Sequence, residues 1–194
     1  MQKAVARLTA FVTFAGLAVS AWAIPPLPRK SPEFTILLPD GKQQLLSTYR
    51  GKVVVLAFMA TWCPHCQEFS QVLTKIQKEM GPRGLQALGV AFNQPVTPEM
   101  VNEFVQKYNV GFPVGYSSAV DPVLSYLGIS LLDRYVYPQI VVIDRKGMIR
   151  YQTPVEGGGS PSLQNEGYLR TVVEELLKEA GATKQAPAAA KKGE

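Results

Sequence analysis

The stretch that decides the fold is VVVLAFMATWCPHC, residues 53–66. Its first eight residues are all apolar, which is typical of a central strand covered on both faces by helices. The stretch ends in the only two cysteines of the chain, Cys63 and Cys66, where a helix is predicted to begin. A cysteine there lies beside the free N–H groups of the helix N-terminus, which stabilise a thiolate. The pattern therefore favours thiol–disulfide exchange.

The residues from Cys63 to Cys66 have distinct predicted roles. Exchange needs an exposed nucleophile and a second thiol that resolves the mixed disulfide. We expect Cys63 to be the exposed nucleophile and Cys66, one turn into the helix, to be the buried resolving thiol. Pro64 suits the first helical turn. His65, the only histidine of the chain, is predicted to tune the redox potential through a hydrogen bond or positive charge to the Cys63 thiolate, unless it is a solvated surface residue.

Other uses of the cysteine pair are disfavoured. A structural disulfide closing four residues contributes only about 2 kcal/mol in the chain-entropy model. A zinc site needs four ligands, or three and a water, so carboxylates from elsewhere would have to join the pair. Covalent haem attachment requires C-x-x-C-H, but Gln67 follows Cys66. We expect no cofactor or metal beyond a redox-active Cys63–Cys66 disulfide.

Periodicity and turn signals place the other elements around this stretch. An apolar hairpin is predicted around Asp40-Gly41. Helices are predicted at 64–80, 97–108, 121–128 and 164–180, and strands at 53–60, 85–92, 114–117, 139–143 and 148–152. The order strand, helix, strand, helix, hairpin and closing helix is that of an α/β thioredoxin fold, a central mixed sheet flanked by helices, with the N-terminal hairpin as an extension. We assign the domain to residues 33–180.

Both ends of the chain read as extensions of that domain. Residues 1–23 resemble a secretory signal, with Lys3 and Arg7 before an apolar run and Ala21-Trp22-Ala23 as a cleavage site. The alternative is an uncleaved anchor of the inner membrane formed by residues 8–24. Residues 24–32 form a Pro-rich leader, and residues 181–194, rich in Ala and Lys, are expected to be disordered. An exported, most simply periplasmic, protein is therefore predicted.

The charge does not indicate a nucleic-acid partner. The formal charge of +5 falls to 5 − 2 = +3 if the chain starts at Ile24, and the basic residues are scattered. We expect the partners to be protein thiols and disulfides and a membrane or periplasmic redox protein. The membrane itself would be contacted only through an uncleaved N-terminal segment.

Pro138 is the second candidate for the site. It opens the strand predicted at 139–143, which should lie beside the strand at 53–60. A cis bond before Pro138 would leave the backbone of Tyr137 free to pair with a substrate chain. The alternative is an ordinary turn proline. Trp62, Pro64 and Tyr137 are expected to shape the substrate groove.

The motifs resemble the TlpA/ResA family of exported thioredoxin-like thiol–disulfide oxidoreductases, within the wider redoxin group related to AhpC/TSA proteins. The similarity covers roughly residues 31–180 and rests on ATWCPHC at 60–66, on GKVVVL at 51–56, and on Tyr137-Pro138 followed by DRKG at 144–147. It implies a thioredoxin fold in which Pro138 is a cis-proline facing Cys63. It also implies a family insert between the second and third core strands, near residues 96–131.

The chain departs from that family around the cysteines. Pro64-His65 stands where Gly-Pro, Pro-Pro or Glu-Pro is common, and it matches the oxidant DsbA instead. Phe69 and Ala57 stand where an acidic residue is found in the family and in thioredoxin, respectively, and Tyr137 replaces a common Thr or Val. The missing carboxylates remove a proton acceptor for the resolving thiol. These departures favour a couple more oxidising than the family's reductases.

Two other functions remain open from the sequence. A thiol peroxidase of the peroxiredoxin branch usually shows Thr-x-x-Cys after a proline, but position 60 is Ala60 and no proline precedes the motif. A non-catalytic thioredoxin-like binding module would have no use for an intact cysteine pair.

Overall fold

A computed structural model describes residues 25–154 and 163–179 of the chain. The predicted signal segment, the Gly-rich stretch at 157–161 and the C-terminal tail lie outside these residues. The described part contains one mixed eight-stranded sheet and four α-helices. The strands are β1 (Arg29–Lys30), β2 (Thr35–Leu37), β3 (Gln43–Leu45), β4 (Val53–Met59), β5 (Leu85–Ala91), β6 (Val114–Tyr116), β7 (Gln139–Ile143) and β8 (Met148–Gln152). The helices are α1 (Pro64–Met80), α2 (Pro98–Lys107), α3 (Asp121–Leu127) and α4 (Glu166–Glu179).

Strand β4 lies inside the sheet, whose order is β1-β8-β7-β4-β5-β6-β2-β3. It pairs in parallel with β5 and antiparallel with β7, and all seven of its residues are buried. Residues of α1, α2 and α4 cover one face of the sheet, and residues of α3 and the N-terminal hairpin cover the other. Burial on both faces is the reason why this strand is apolar throughout.

The ends of the helices follow local signals. Pro64 begins α1, and Gly81 and Pro82 follow its last residue. The Oγ1 atom of Thr97 accepts a hydrogen bond from the N–H of Met100 and so caps α2. In α3 Val120 holds the N-cap position and Asp121 is already helical.

The segments around the core extend the sheet. The hairpin β2–β3 joins it through β6, where Leu37 pairs with Tyr116. Between β5 and β7 the chain forms α2, β6 and α3, which corresponds to the expected insert. Arg29 and Lys30, within the predicted leader, form a short strand paired with β8. No helix within residues 25–154 and 163–179 combines the length and apolar character needed to cross a membrane.

Candidate active site

Cys63 lies at the junction of the central strand and α1. It is the N-cap residue of α1, and its carbonyl oxygen accepts hydrogen bonds from the N–H groups of Cys66 and Gln67, both at 3.1 Å. Its own N–H donates to the carbonyl oxygen of Ala60 at 3.2 Å, which makes a tight turn between strand and helix. The first turn of a 17-residue helix therefore begins at the candidate nucleophile.

The Cys63 side chain is recessed, which corrects the expectation of an exposed nucleophile. Only 6% of the residue is accessible, and it belongs to the hydrophobic cluster beneath α1. Its sulfur lies 4.0 Å from the carbonyl oxygen of Tyr137. The loop that precedes β7 thus approaches the sulfur closely, and a reacting partner must enter a narrow niche.

Cys66 is completely buried, as the sequence predicts for a resolving thiol. Both cysteines are free thiols. Burial raises the pKa of the Cys66 thiol well above its usual range, and the neighbouring Cys63 raises it further. Ala57 and Phe69, which stand where the resemblance would lead one to expect a carboxylate, are buried members of the same apolar cluster. The surroundings of Cys66 therefore favour its neutral form.

His65 lies on the solvent-exposed surface of α1. Its side chain is 74% exposed, and its Nδ1 atom lies 3.9 Å from Oε2 of Glu68, one turn along α1. None of the described hydrogen bonds joins the imidazole to Cys63. Pro64 is exposed beside it. An effect of His65 on Cys63 would therefore act through charge at the helix N-terminus, and its tuning role stays a prediction.

The second segment of the site faces Cys63 from the loop before β7. The Tyr137–Pro138 peptide bond is cis, and Pro138 is buried. The Tyr137 ring packs against Phe92 at 5.0 Å between centroids and edge-on against Trp62 at 5.9 Å. Burial of the phenol, with Tyr135 beside it, raises the pKa of Tyr137 well above its usual range. The half-buried Tyr137 therefore presents a neutral hydroxyl.

Trp62 forms the opposite rim of the site. It is 63% exposed even though it contacts Tyr137, and it also borders a cavity of about 250 Å³ against α2. Phe104 of α2 and Tyr108, the residue that follows α2, line this cavity. The structure thus brings Trp62, Tyr137 and Pro138 together around Cys63.

Three polar residues that support the site were not singled out from the sequence. Buried Asn93 accepts a hydrogen bond from the N–H of Thr61 at 3.1 Å, and Gln67 donates to the Thr61 carbonyl oxygen at 3.1 Å. Gln139, completely buried, donates to the carbonyl oxygen of Val136 at 2.9 Å. These contacts hold the two loops on either side of Cys63. The one available signal was a polar residue directly after a buried strand, as at Asn93.

The described residues contain no group of three or more His, Cys, Asp or Glu side chains that could hold a metal ion.

Fold and site together define a thioredoxin-fold protein with a redox-type cysteine pair at its first core strand–helix junction. A family model matches residues 28–152, and the chain belongs to the AhpC/TSA family. It is 28% identical over 124 residues to the thioredoxin-like protein YneN of Bacillus subtilis, which covers 63% of this chain and 68% of YneN. It is 27% identical over 120 residues to the thiol-disulfide oxidoreductase ResA of Geobacillus thermodenitrificans, covering 62% and 64% of the two chains.

Solved structures give the same fold. A proposed protein disulfide isomerase from Bacteroides thetaiotaomicron superposes with a TM-score of 0.64 at 29% identity, over 82% of this chain and 94% of the other. A thiol:disulfide interchange protein from Chlorobium tepidum superposes with a TM-score of 0.61 at 24% identity, over 79% and 99% of the two chains. The resemblance to TlpA/ResA proteins is thereby confirmed, and the class of enzyme is thiol–disulfide oxidoreductase.

Proposed function

We propose that this chain is an exported enzyme that exchanges disulfides with protein substrates through Cys63 and Cys66. The observation that carries the proposal is the placement of the pair. Cys63 caps α1 and faces the Tyr137 carbonyl oxygen, whereas Cys66 is buried one turn behind it. One thiol can thus meet a substrate and the other can react only with its neighbour.

The chemistry runs in two balanced steps. The Cys63 thiolate attacks one sulfur of a substrate disulfide, forms a mixed disulfide and releases the other substrate sulfur as a thiolate. Cys66 then loses its proton and attacks the Cys63 sulfur, which releases the reduced substrate and leaves a Cys63–Cys66 disulfide. The protein loses two electrons and the substrate gains them, and the reverse sequence oxidises a substrate dithiol. A membrane or periplasmic redox protein would then restore the starting state.

Substrate binding is proposed along the loop before β7. Among the described hydrogen bonds, none involves the backbone N–H groups of residues 135–137, so an extended peptide can pair with them. Trp62 and Tyr137 would flank this peptide, with Pro138 between it and the core. The exposed His65 would favour a negative charge on Cys63 and so make the couple more oxidising.

The test is a covalent trap with the full chain. Cys66→Ser leaves the nucleophile but removes the thiol that resolves the mixed disulfide, so partner proteins should accumulate on Cys63 in non-reducing gels. The matched control is Cys63→Ser/Cys66→Ser, which should trap nothing. If Cys66→Ser yields no adducts beyond this control, the exchange mechanism is wrong.

A further inference from the structure

Exposed apolar side chains concentrate beside the active site. Of the six large hydrophobic residues that the structure shows as exposed, three lie between α3 and the cis-proline: Leu131, Leu132 and Val136. Trp62, a fourth, contacts Tyr137 across the niche of Cys63. Exposed apolar surface grouped in this way marks an interaction site more often than chance exposure does.

The turn at residues 130–133, the leucine turn, directs its two leucine side chains toward solvent. The N–H of Ser130 donates to Oδ2 of Asp133 at 2.8 Å, and the N–H of Asp133 donates to the Ser130 carbonyl oxygen at 3.1 Å. The N–H of Leu132 donates to Oγ of Ser130 at 3.2 Å. Polar contacts thus define the turn, while Leu131 and Leu132 are 68% and 95% exposed. Neither leucine side chain contributes much to the core.

This leucine turn is continuous with the site. Five residues lead from Leu132 to Tyr137, a span of at most about 17 Å in extended chain. Within that span the Tyr135 and Tyr137 rings lie 5.7 Å apart, and both pack against Phe92. The exposed leucines, exposed Val136 and half-buried Tyr137 therefore follow one another along the segment that leads to the niche of Cys63.

We propose that the leucine turn is a second docking point for substrate. It binds apolar side chains of the substrate that lie within about five residues of the substrate's reacting cysteine. The proposal rests on the exchange function above and names its substrate class: extended or unfolded polypeptides with apolar residues near a cysteine. The recessed sulfur supports an extended occupant, because a niche that leaves Cys63 only 6% accessible favours a disulfide on a flexible chain over one on a flat folded surface. The exposed leucines support an apolar occupant, because buried hydrocarbon area would be the main source of that occupant's affinity for the turn.

The test pairs a protein change with a peptide change. Two peptides carry one cysteine as a mixed disulfide with glutathione; one has a Leu-Leu pair three residues from the cysteine, and the other has Ser-Ser there. Reaction with the reduced full chain is followed by quantifying the peptide thiol released. Wild type should reduce the Leu-Leu peptide about tenfold faster, compared as second-order rate constants for this single-turnover reaction, since two partly buried leucines supply that much binding free energy. Leu131→Ser/Leu132→Ser should abolish this preference.

Leu45→Ser is the matched control, because Leu45 is 46% exposed on β3 at the far edge of the sheet. It should keep the tenfold preference. Glutathione disulfide serves as a substrate that needs no docking. If wild type reduces glutathione disulfide but shows no peptide preference, or if the preference survives Leu131→Ser/Leu132→Ser, the docking proposal is overturned while the exchange function stands. If wild type does not react with glutathione disulfide or either peptide, both fail.

A lipid contact is the competing explanation for the same surface, and it predicts a different outcome. Binding of the full chain to phosphatidylcholine vesicles is measured by flotation for wild type and for the two leucine variants. Loss of vesicle binding in Leu131→Ser/Leu132→Ser without a change in peptide preference would assign the turn to the membrane and overturn the proposal. Equal flotation of all three proteins, together with lost peptide preference, supports it.

Discussion

The buried thiol of Cys66 makes the reduced protein sensitive to alkaline pH. Its ordinary pKa is 9.0, and burial raises that pKa far above this value in the fold. Above pH 9.0 the thiol ionises in the unfolded chain but stays protonated in the folded one, so unfolding releases a proton. A rise in pH therefore stabilises the unfolded state, and stability that is fully present below pH 9 is lost as the pH increases.

The magnitude follows from the free energy of that proton. With an unfolded pKa of 9.0, the loss between pH 7 and pH 10 is about 1.4 kcal/mol, since each pH unit beyond the unfolded pKa costs about that much. Urea unfolding of wild type and Cys66→Ala under a phosphine reductant, at pH 7 and pH 10, measures the difference. Wild type should lose about 1.4 kcal/mol more than the variant, because every other titrating group is common to both proteins. Equal losses in the two proteins would refute the assignment of Cys66 as a buried neutral thiol.

Two further changes probe the support of the site. Leu73→Ala, at a completely buried position in α1, should reduce the free energy of unfolding by about 2–5 kcal/mol. The same change at exposed Leu45 should cost less than about 0.5 kcal/mol in the same urea titration. Asn93→Ala leaves the N–H of Thr61 without its acceptor, so stability should fall by about 1–3 kcal/mol and exchange with a peptide disulfide should slow. Gln67→Ala, which removes only a half-exposed donor, should have a smaller effect on both, and a larger one would contradict this account of the loop.

Local signals were enough to predict the elements that carry the site. The start of α1 at Pro64 follows from a residue without an N–H that is suited to the first turn, and its end at Met80 follows from Pro82, which has no N–H to continue the helical hydrogen bonds. The apolar run at 53–59 likewise indicates a strand that is buried on both faces of the sheet, and these residues form β4. Both inferences depend on residues that are neighbours in the sequence. The extent to which each cysteine side chain is buried depends in addition on residues that are distant in the sequence.

What the sequence did not reveal involves contacts between distant segments. The accessibility of Cys63 is set by the loop around Tyr137, 74 residues away, and no local pattern reports how closely that loop approaches. The hydrogen bond from the N–H of Thr61 to Asn93 likewise joins two loops that only the pairing of β4 and β5 brings together. The outward direction of His65 results from its place on the solvent side of α1, where Glu68 faces it.

In the proposed mechanism the missing carboxylates at positions 57 and 69 bear on rate, which leaves His65 as the departure that would make the couple more oxidising. At neutral pH a thiol with a pKa of 9.0 and one with a higher pKa are both protonated, so the burial of Cys66 leaves the redox equilibrium almost unchanged there. It does slow the attack of Cys66 on a mixed disulfide, because the reactive thiolate is rarer and Ala57 and Phe69 provide no proton acceptor. The equilibrium instead depends on how strongly a charge on Cys63 is stabilised by the α1 N-terminus and by any charge on His65. In the proposed mechanism the direction of electron flow would therefore be determined at Cys63, and the buried residues would determine how fast a substrate is released.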